Sequence, residues 1–411
     1  MGLLSLMAGA ASAADYAAGP HDYRAVLRQL QAGDRLLLAP GVYERGLPLH
    51  HLSGQPGRPI IIEAADPGAP PRLVARPGAN TVSLVDVRHV TLRHLELDGR
   101  NLPVDAVKAE GHSRYADHVT LEHLYIHDHA ASQQNVGIST KCPAFGWVIR
   151  HTRIERVGTG MYLGDSDGSD AFVAGLIEGN HISQTLGYNL QIKHQQAREV
   201  DHGGPHETVI RHNVLSKADA SPGPLARPNL LLGHWPQQGP GREDRYLVYG
   251  NVFLHNPSEA LLQAEGRVAI YDNVFVNASG DAIRIQPHKD VPRDMAIFAN
   301  TLLASGTGIA VRQPEGAPYR QRVLANVVAA GVPIKGGEAT HNLARAYRAA
   351  WLDGSVFDLT SRLLAGSGED DRLPDALVAT LAAYPGWQRS ARPGAQLVPG
   401  RLPALDVGLP R

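Results

Sequence analysis

The chain has 411 residues, of which 43% are hydrophobic and 19% charged, enough apolar material for a large core and too much for a disordered chain. Its formal net charge of −1 excludes a chain-wide electrostatic footprint for nucleic acid, so a charged polymer would have to be met by a local patch. Forty-three glycines and 29 prolines announce many turns, and the single Cys142 excludes an internal disulfide and reads as a buried structural thiol.

Taken from the start, residues 1–13 (MGLLSLMAGAASA) carry an apolar run and a small-residue site at Ala11-Ser12-Ala13, the pattern of a signal peptide lacking its basic start. The expected location is periplasmic or secreted. No later stretch is long and apolar enough to span a membrane. Asp22 ahead of Tyr23, Val26, Leu27 and Leu30 predicts a capped amphipathic helix ending at Gly33. Short strands follow at 35–43, with a Pro-Gly turn, and at 59–63 and 73–75.

From Val90 a repeat takes over. Segments 90–97 (VTLRHLEL) and 119–126 (VTLEHLYI) lie 29 residues apart, and 148–154 (VIRHTRI) follows after another 29. Related segments begin at 176, 209, 247, 269, 296 and 323, and they bring Asn180, Asn213, Asn251, Asn273, Asn300 and Asn326 into recurrence. Strands repeating every 20–40 residues without helices between them mean a β-solenoid. Asn suits a left-handed corner between strands, and stacked on itself it can build an internal ladder. The fold expected is all-β, a β-helix over 14–345, with an N-terminal capping helix and a C-terminal capping segment over 346–411. The repeat is lost from 343, and from there on 344–351 and 373–384 read as helices.

Each Asn-bearing strand is followed by a second strand, at 136–141, 161–165, 190–194, 230–234, 261–265, 283–288 and 309–312. Period-two alternation sends Leu190 and Ile192, Leu230 and Leu232, and Ile283 and Ile285 inward. One outward column then holds Tyr162, Gln191, Leu231, Leu262 and Arg284, and the next holds Lys193, Gly233, Ala264, Gln286 and Arg312. His194, His234 and Glu265 fall one step further, at the turn. With coils about 4.8 Å apart, Lys193, His194 and His234 become neighbours in a basic, amide-rich groove suited to an extended anionic chain, with Trp235 beside them.

Ahead of Lys193 stands 164–170 (GDSDGSD), whose Asp165, Asp167 and Asp170 have the spacing of an oxygen-ligand loop for Ca²⁺, without the helices or terminal Glu of an EF-hand. The chain's 20 His fall mostly in repeat turns, and the 201–206 run with His202 and His206 lacks a rigid helical face for zinc.

The opening 33–43 (GDRLLLAPGVY), the run 57–64 (GRPIIIEA) and the tail 403–408 (PALDVG) resemble right-handed parallel β-helix proteins of the pectate-lyase-like superfamily, and more narrowly the alginate lyase and chondroitinase B branch. That resemblance covers roughly 20–345 and the tail. It implies a polysaccharide lyase cleaving a uronic-acid polymer by β-elimination, secreted and monomeric, with an anionic polysaccharide as partner and no nucleic acid. It also implies Lys193 as base with His194, His234 and Arg284 as neighbouring cations. His234 is the candidate acid and Arg227 a weaker one, while Arg284 with Gln191, or Ca²⁺ on Asp165, Asp167 and Asp170, neutralises the substrate carboxylate. Tyr162, Asn189, Gln191, His194, Trp235 and Arg312 complete the expected binding surface. The branch carries two Glu calcium ligands ahead of its lysine where Asn189 and Gln191 stand here. A C5-epimerase, a glycoside hydrolase using Glu265 and Asp165, and a non-catalytic glycan-binding or export protein remain open on the same fold.

Overall fold

The computed structural model of the chain describes residues 13–219, 223–368 and 371–403. The apolar run of the signal-like segment and most of the family-like tail lie outside these residues.

Alternation of apolar and polar residues drives almost everything. A 15-stranded parallel sheet starts at Asp15–Ala18 and ends at Glu338–Thr340. A 21-stranded parallel sheet comprises two further ladders, joined where Thr301–Val311 and Val327–Lys335 run through a corner without a break. The chain therefore winds as a right-handed parallel β-helix with three faces. On the third face Ile138, Met161, Leu190, Leu230, Leu262, Ile283 and Ile309 stack in register and are fully buried. Each such side chain contributes about 1.5–3 kcal/mol of burial.

The Asn ladder forms. Asn180 Nδ2 donates to Asn213 Oδ1 at 2.9 Å, and the chain of bonds continues through Asn251, Asn273, Asn300 and Asn326 to Asn342. The left-handed corner, however, falls on the residue before each Asn: Gly179, His212, Gly250, Asp272, Ala299, Ala325 and His341 all have positive φ. The Asn supplies the hydrogen bonds and its predecessor the bend. Histidines occupy several other left-handed turns and stack across coils, as His89–His118 and His94–His123 do at 4.4 and 4.8 Å between ring centroids.

The N-terminal helix is shorter than its apolar pattern suggests. It spans Tyr23–Leu27, and Asp22 accepts from the Gly19 N–H at 2.7 Å instead of capping it. At the other end, 344–351 is not a helix: Leu343–Ala346 is the last strand of the second face, followed by a 3₁₀ turn at Ala349–Leu352. Helices occur at Leu359–Leu364 and Asp375–Leu381. The first packs Leu359 and Leu363 on Val252, Val274 and Leu303 of the second face, and the second packs Val378 and Leu381 on Tyr249, Tyr271 and Phe298 of the first. The third face stays open at those coils.

Candidate functional site

The open third face carries a cleft of about 240 Å³ directly over Lys193. Strand register explains its floor. Leu190–Ile192 pairs with Leu230–Leu232, which pairs with Leu262–Ala264 and then Ile283–Ile285. The outward column is therefore Ser139, Tyr162, Gln191, Leu231, Gln263 and Arg284, with Leu262 turned inward. The expected register of that one coil was displaced by a residue, which in a strand moves every side chain to the opposite face. Gln263 replaces Leu262 outside, and Glu265, not Ala264, follows in the column of Lys193 and Gly233.

Lys193 is half-buried, and among the described residues no carboxylate forms an ion pair with it. Burial first, and then the charge of Lys289, hold its ammonium below the ordinary lysine range, with Asp165 and Glu265 acting weakly the other way. His194 lines the cleft beside it, its Nε2 3.0 Å from the Asp167 carbonyl, and burial keeps its imidazole below the usual histidine value. Gly233 forms the floor because the next rung is in backbone contact: a Cβ there would lie 2.2 Å from the His194 nitrogen.

The walls bring in Arg227, the weaker of the two expected acids, and with it Tyr188, Glu259, Gln263, His288 and Lys289, which the sequence pattern did not single out. Tyr188 and Arg227 stand on one side with Glu259 and Gln263, and His288 and Lys289 on the other. Burial raises the Tyr188 hydroxyl, and Arg227, which hydrogen-bonds it, opposes that rise. Gln263 Nε2 donates to Glu259 Oε2 at 2.8 Å. Glu265 Oε2 accepts the backbone N–H groups of His288, Lys289 and Asp290 at 2.9, 2.8 and 3.1 Å, which fixes the turn that presents Lys289. Upstream, the Lys141 ammonium sits 3.3 Å from the centroid of Tyr162, and Lys193 lies 5.9 Å from the same ring. Burial is the main reason Lys141 is lowered to about 8. Tyr162 is thus a platform between two amines, pushed up to about 12 by burial.

Other expected residues are placed elsewhere. Trp235 is fully buried, stacked on Tyr246 at 4.3 Å, and belongs to the core rather than to a binding surface. Asn189 is buried as well, its Nδ2 donating to Thr185 Oγ1 and the Ser216 carbonyl, and Gln191 is 5% exposed. Arg284 lies outside the cleft lining and is paired through Nη2 with Asp281 at 2.7 Å. His234 stacks near His194, 5.4 Å between centroids, with Nδ1 3.0 Å from the Trp235 carbonyl, and does not line the cleft; Arg312 is exposed beyond it.

The acidic loop does not form a cation cage. Asp165 Oδ1 accepts the N–H groups of Gly168 and Asp170 at 3.0 and 3.1 Å, and Asp167 Oδ1 that of Ser169 at 2.9 Å. Asp165 and Asp167 build their own turn, the ligand atoms of Asp165, Asp167 and Asp170 do not converge among the described residues, and Asn189 faces inward, so the donor set does not fit calcium beside Lys193. His202 and His206 pack around Phe145 at 4.1 and 5.1 Å. Among the described residues the acidic and histidine ligand atoms converge at Asp98, His127 and Asp128, where His127 already bonds Glu96 and Asp128, and Arg156 holds Asp128.

Comparison with solved structures gives the class. A lacto-N-biosidase of family GH136 from Eubacterium ramulus is similar with a TM-score of 0.54 and 15% identity, over 81% of this chain and 68% of that one. A variant of a PL6 family alginate lyase gives 0.52 and 14%, over 82% and 52%. A PL6 family polysaccharide lyase from Pseudopedobacter saltans gives 0.50 and 11%, over 96% and 99%. No protein-family model matches the sequence, and neither does any curated protein. The chain has the right-handed parallel β-helix fold of PL6 alginate lyases, and at these identities the likeness is one of fold.

Proposed function

We propose that the protein is a polysaccharide lyase that cleaves an anionic, uronic-acid-containing polysaccharide by β-elimination, acting in the periplasm or outside the cell. The observation that carries this reading is Lys193: an amine without an ion-pair partner, held below its ordinary pKa, on the floor of an open cleft along the β-helix axis. Neutral Nζ takes the proton from the carbon next to the substrate carboxylate. The C–H electron pair becomes a carbon–carbon double bond, the adjacent bond to the glycosidic oxygen breaks, and that oxygen takes a proton from the Tyr188 hydroxyl. Lys289 lines the same cleft, where its ammonium can neutralise the substrate carboxylate, and Arg227 supports the charge left on Tyr188. No metal is assigned a step, because Asp165 and Asp167 are engaged in their own turn and do not converge with Asp170 on one point.

A screen of acidic polysaccharides for unsaturated, ultraviolet-absorbing ends tests the reading. Lys193→Met should lower product formation by about 10²–10⁴-fold, the usual worth of a general base; wild-type turnover in that variant would reject Lys193 as base. The second reading is a hydrolase, favoured only by the presence of Glu259 and Glu265 in the same cleft. Saturated product ends would identify it, and solvent deuterium incorporation without cleavage would identify an epimerase.

A further inference from the structure

The outward column that passes the cleft continues to the N-terminal end of the molecule. Gln191 pairs with Tyr162, Tyr162 with Ser139, Ser139 with Lys108, Lys108 with Ser83, and Ser83 with Pro48. Five coil spacings of about 4.8 Å put Pro48 roughly 24 Å from the cleft along the helix axis. There a second concavity, of about 370 Å³, is lined by Arg24, Arg45, Arg76, His50 and His112 around Ser83. Among the described residues none of the three arginines pairs with a carboxylate, whereas Arg35, Arg72, Arg93 and Arg114 of the neighbouring coils do. Arg24 donates only to the Arg45 carbonyl, at 3.4 Å, and Glu110, the acidic residue of the lining, is bonded to Asn80. Three guanidinium groups around one carboxylate, itself engaged by Asn80, leave a local excess of positive charge whose members repel one another, in a chain whose net charge is −1. Such an arrangement is stabilised by an anion, and guanidinium forks match carboxylate or sulfate oxygens bidentately.

We propose that Arg24, Arg45 and Arg76 form a distal anion-binding site that anchors the flanking length of the acidic polysaccharide whose cleavage was assigned to Lys193. The site rests on that reading for its ligand class. Lys141, and Lys108 beside its partner Asp105 at 3.7 Å, mark the path between the two clefts. The lining contains no Phe, Tyr or Trp on which bases could stack, which favours a polysaccharide over a single-stranded nucleic acid.

The test compares equilibrium binding of polygalacturonate, alginate and chondroitin sulfate by wild type, by a patch variant (Arg24→Gln, Arg45→Gln, Arg76→Gln) and by a control variant. The control carries Arg100→Gln, Arg372→Gln and Arg392→Gln, three exposed arginines elsewhere that cost the same charge. The patch variant should bind the preferred polymer at least tenfold more weakly than the control at low ionic strength, with the gap closing as salt is added. Equal binding by the two variants overturns the proposal, and so does wild-type binding of single-stranded DNA with no binding of any acidic polysaccharide. Lys193→Met separates the two ideas. Polymer that binds through the patch yet is never cleaved by wild type removes the lyase reading and leaves the site. Polymer that is cleaved while both variants bind alike removes the site and leaves the lyase.

Discussion

Gly233→Ala is the most direct test of how the fold holds the cleft. Gly233 follows Leu230–Leu232, and its N–H donates to the Ile192 carbonyl at 2.9 Å. A Cβ at this position would stand 2.2 Å from the His194 nitrogen, 2.5 Å from its Cα and 2.6 Å from the Lys193 carbonyl carbon. All three are backbone atoms of the neighbouring rung, so no side chain can rotate away. Ordinary contact requires the two rungs to separate by about 1 Å, and overpacking of this kind costs about 1–3 kcal/mol of stability. The same displacement moves Lys193 relative to whatever the cleft holds. A misplacement of about 1 Å costs about 10²-fold in rate, or about 2.7 kcal/mol of activation free energy. The assay is urea unfolding together with the initial rate of unsaturated-product formation. Gly223→Ala is the control, since nothing lies within 4 Å of its Cβ position. A Gly233→Ala protein with wild-type rate and midpoint would refute the argument that this rung contact positions Lys193.

The remaining expectations are quicker to state. Because the reactive form of Lys193 is the neutral amine, the rate should rise with pH to a midpoint below about 10.4, the free lysine value. Lys289→Gln, which removes the largest charge lowering that amine, should move the midpoint upward; a pH–rate profile unmoved by the variant would contradict the coupling. Asn251→Ala breaks the ladder at its middle, taking from the Asn213 backbone N–H and the Ile210 carbonyl their Asn251 partner, while Asn213 Nδ2 keeps the Ile177 and Arg211 carbonyls. At about 1–3 kcal/mol for each buried orphan, the loss should be about 3–4 kcal/mol by denaturant titration. Chelator treatment should leave product formation within twofold of the untreated rate, and a loss restored by added Ca²⁺ would show that the cleft recruits cation ligands beyond those of the acidic loop.

The fold was legible because its signals repeat. Strand alternation and the recurring Asn each state the same coil many times over, so a single misread coil changes nothing. The site has no such redundancy. Lys193 and His194 could be placed from the register of their own strand, but a one-residue error at 261–265 hid Gln263 and misplaced Ala264 and Glu265. Trp235 beside His234 looked like a binding aromatic, yet it turns in to stack on Tyr246 from a coil away, a contact no local pattern encodes. The acidic loop shows the same ambiguity: Asp at alternate positions suits a cation or an Asx turn, and only the hydrogen bonds of Asp165 and Asp167 separate the two. Lys289 was out of reach because its position depends on Glu265 gathering three N–H groups of another coil.

Which face stays open follows from residues that break the alternation. Val268–Tyr271 and Val274–Asn277 are buried at every position, so each must be covered on its outer side as well as its inner one. Tyr249, Tyr271 and Phe298 receive Leu373, Val378, Leu381 and Trp387, while Val252, Val274 and Leu303 receive Val356, Leu359 and Leu363. Along the third face the outward residues of the same coils are Gln263, Arg284 and Ala310, which offer a covering helix little apolar surface. The apolar outer faces of two ladders therefore draw the C-terminal segment onto themselves and away from the third. Polarity on one column keeps the cleft, and the cationic path leading from it, in contact with solvent.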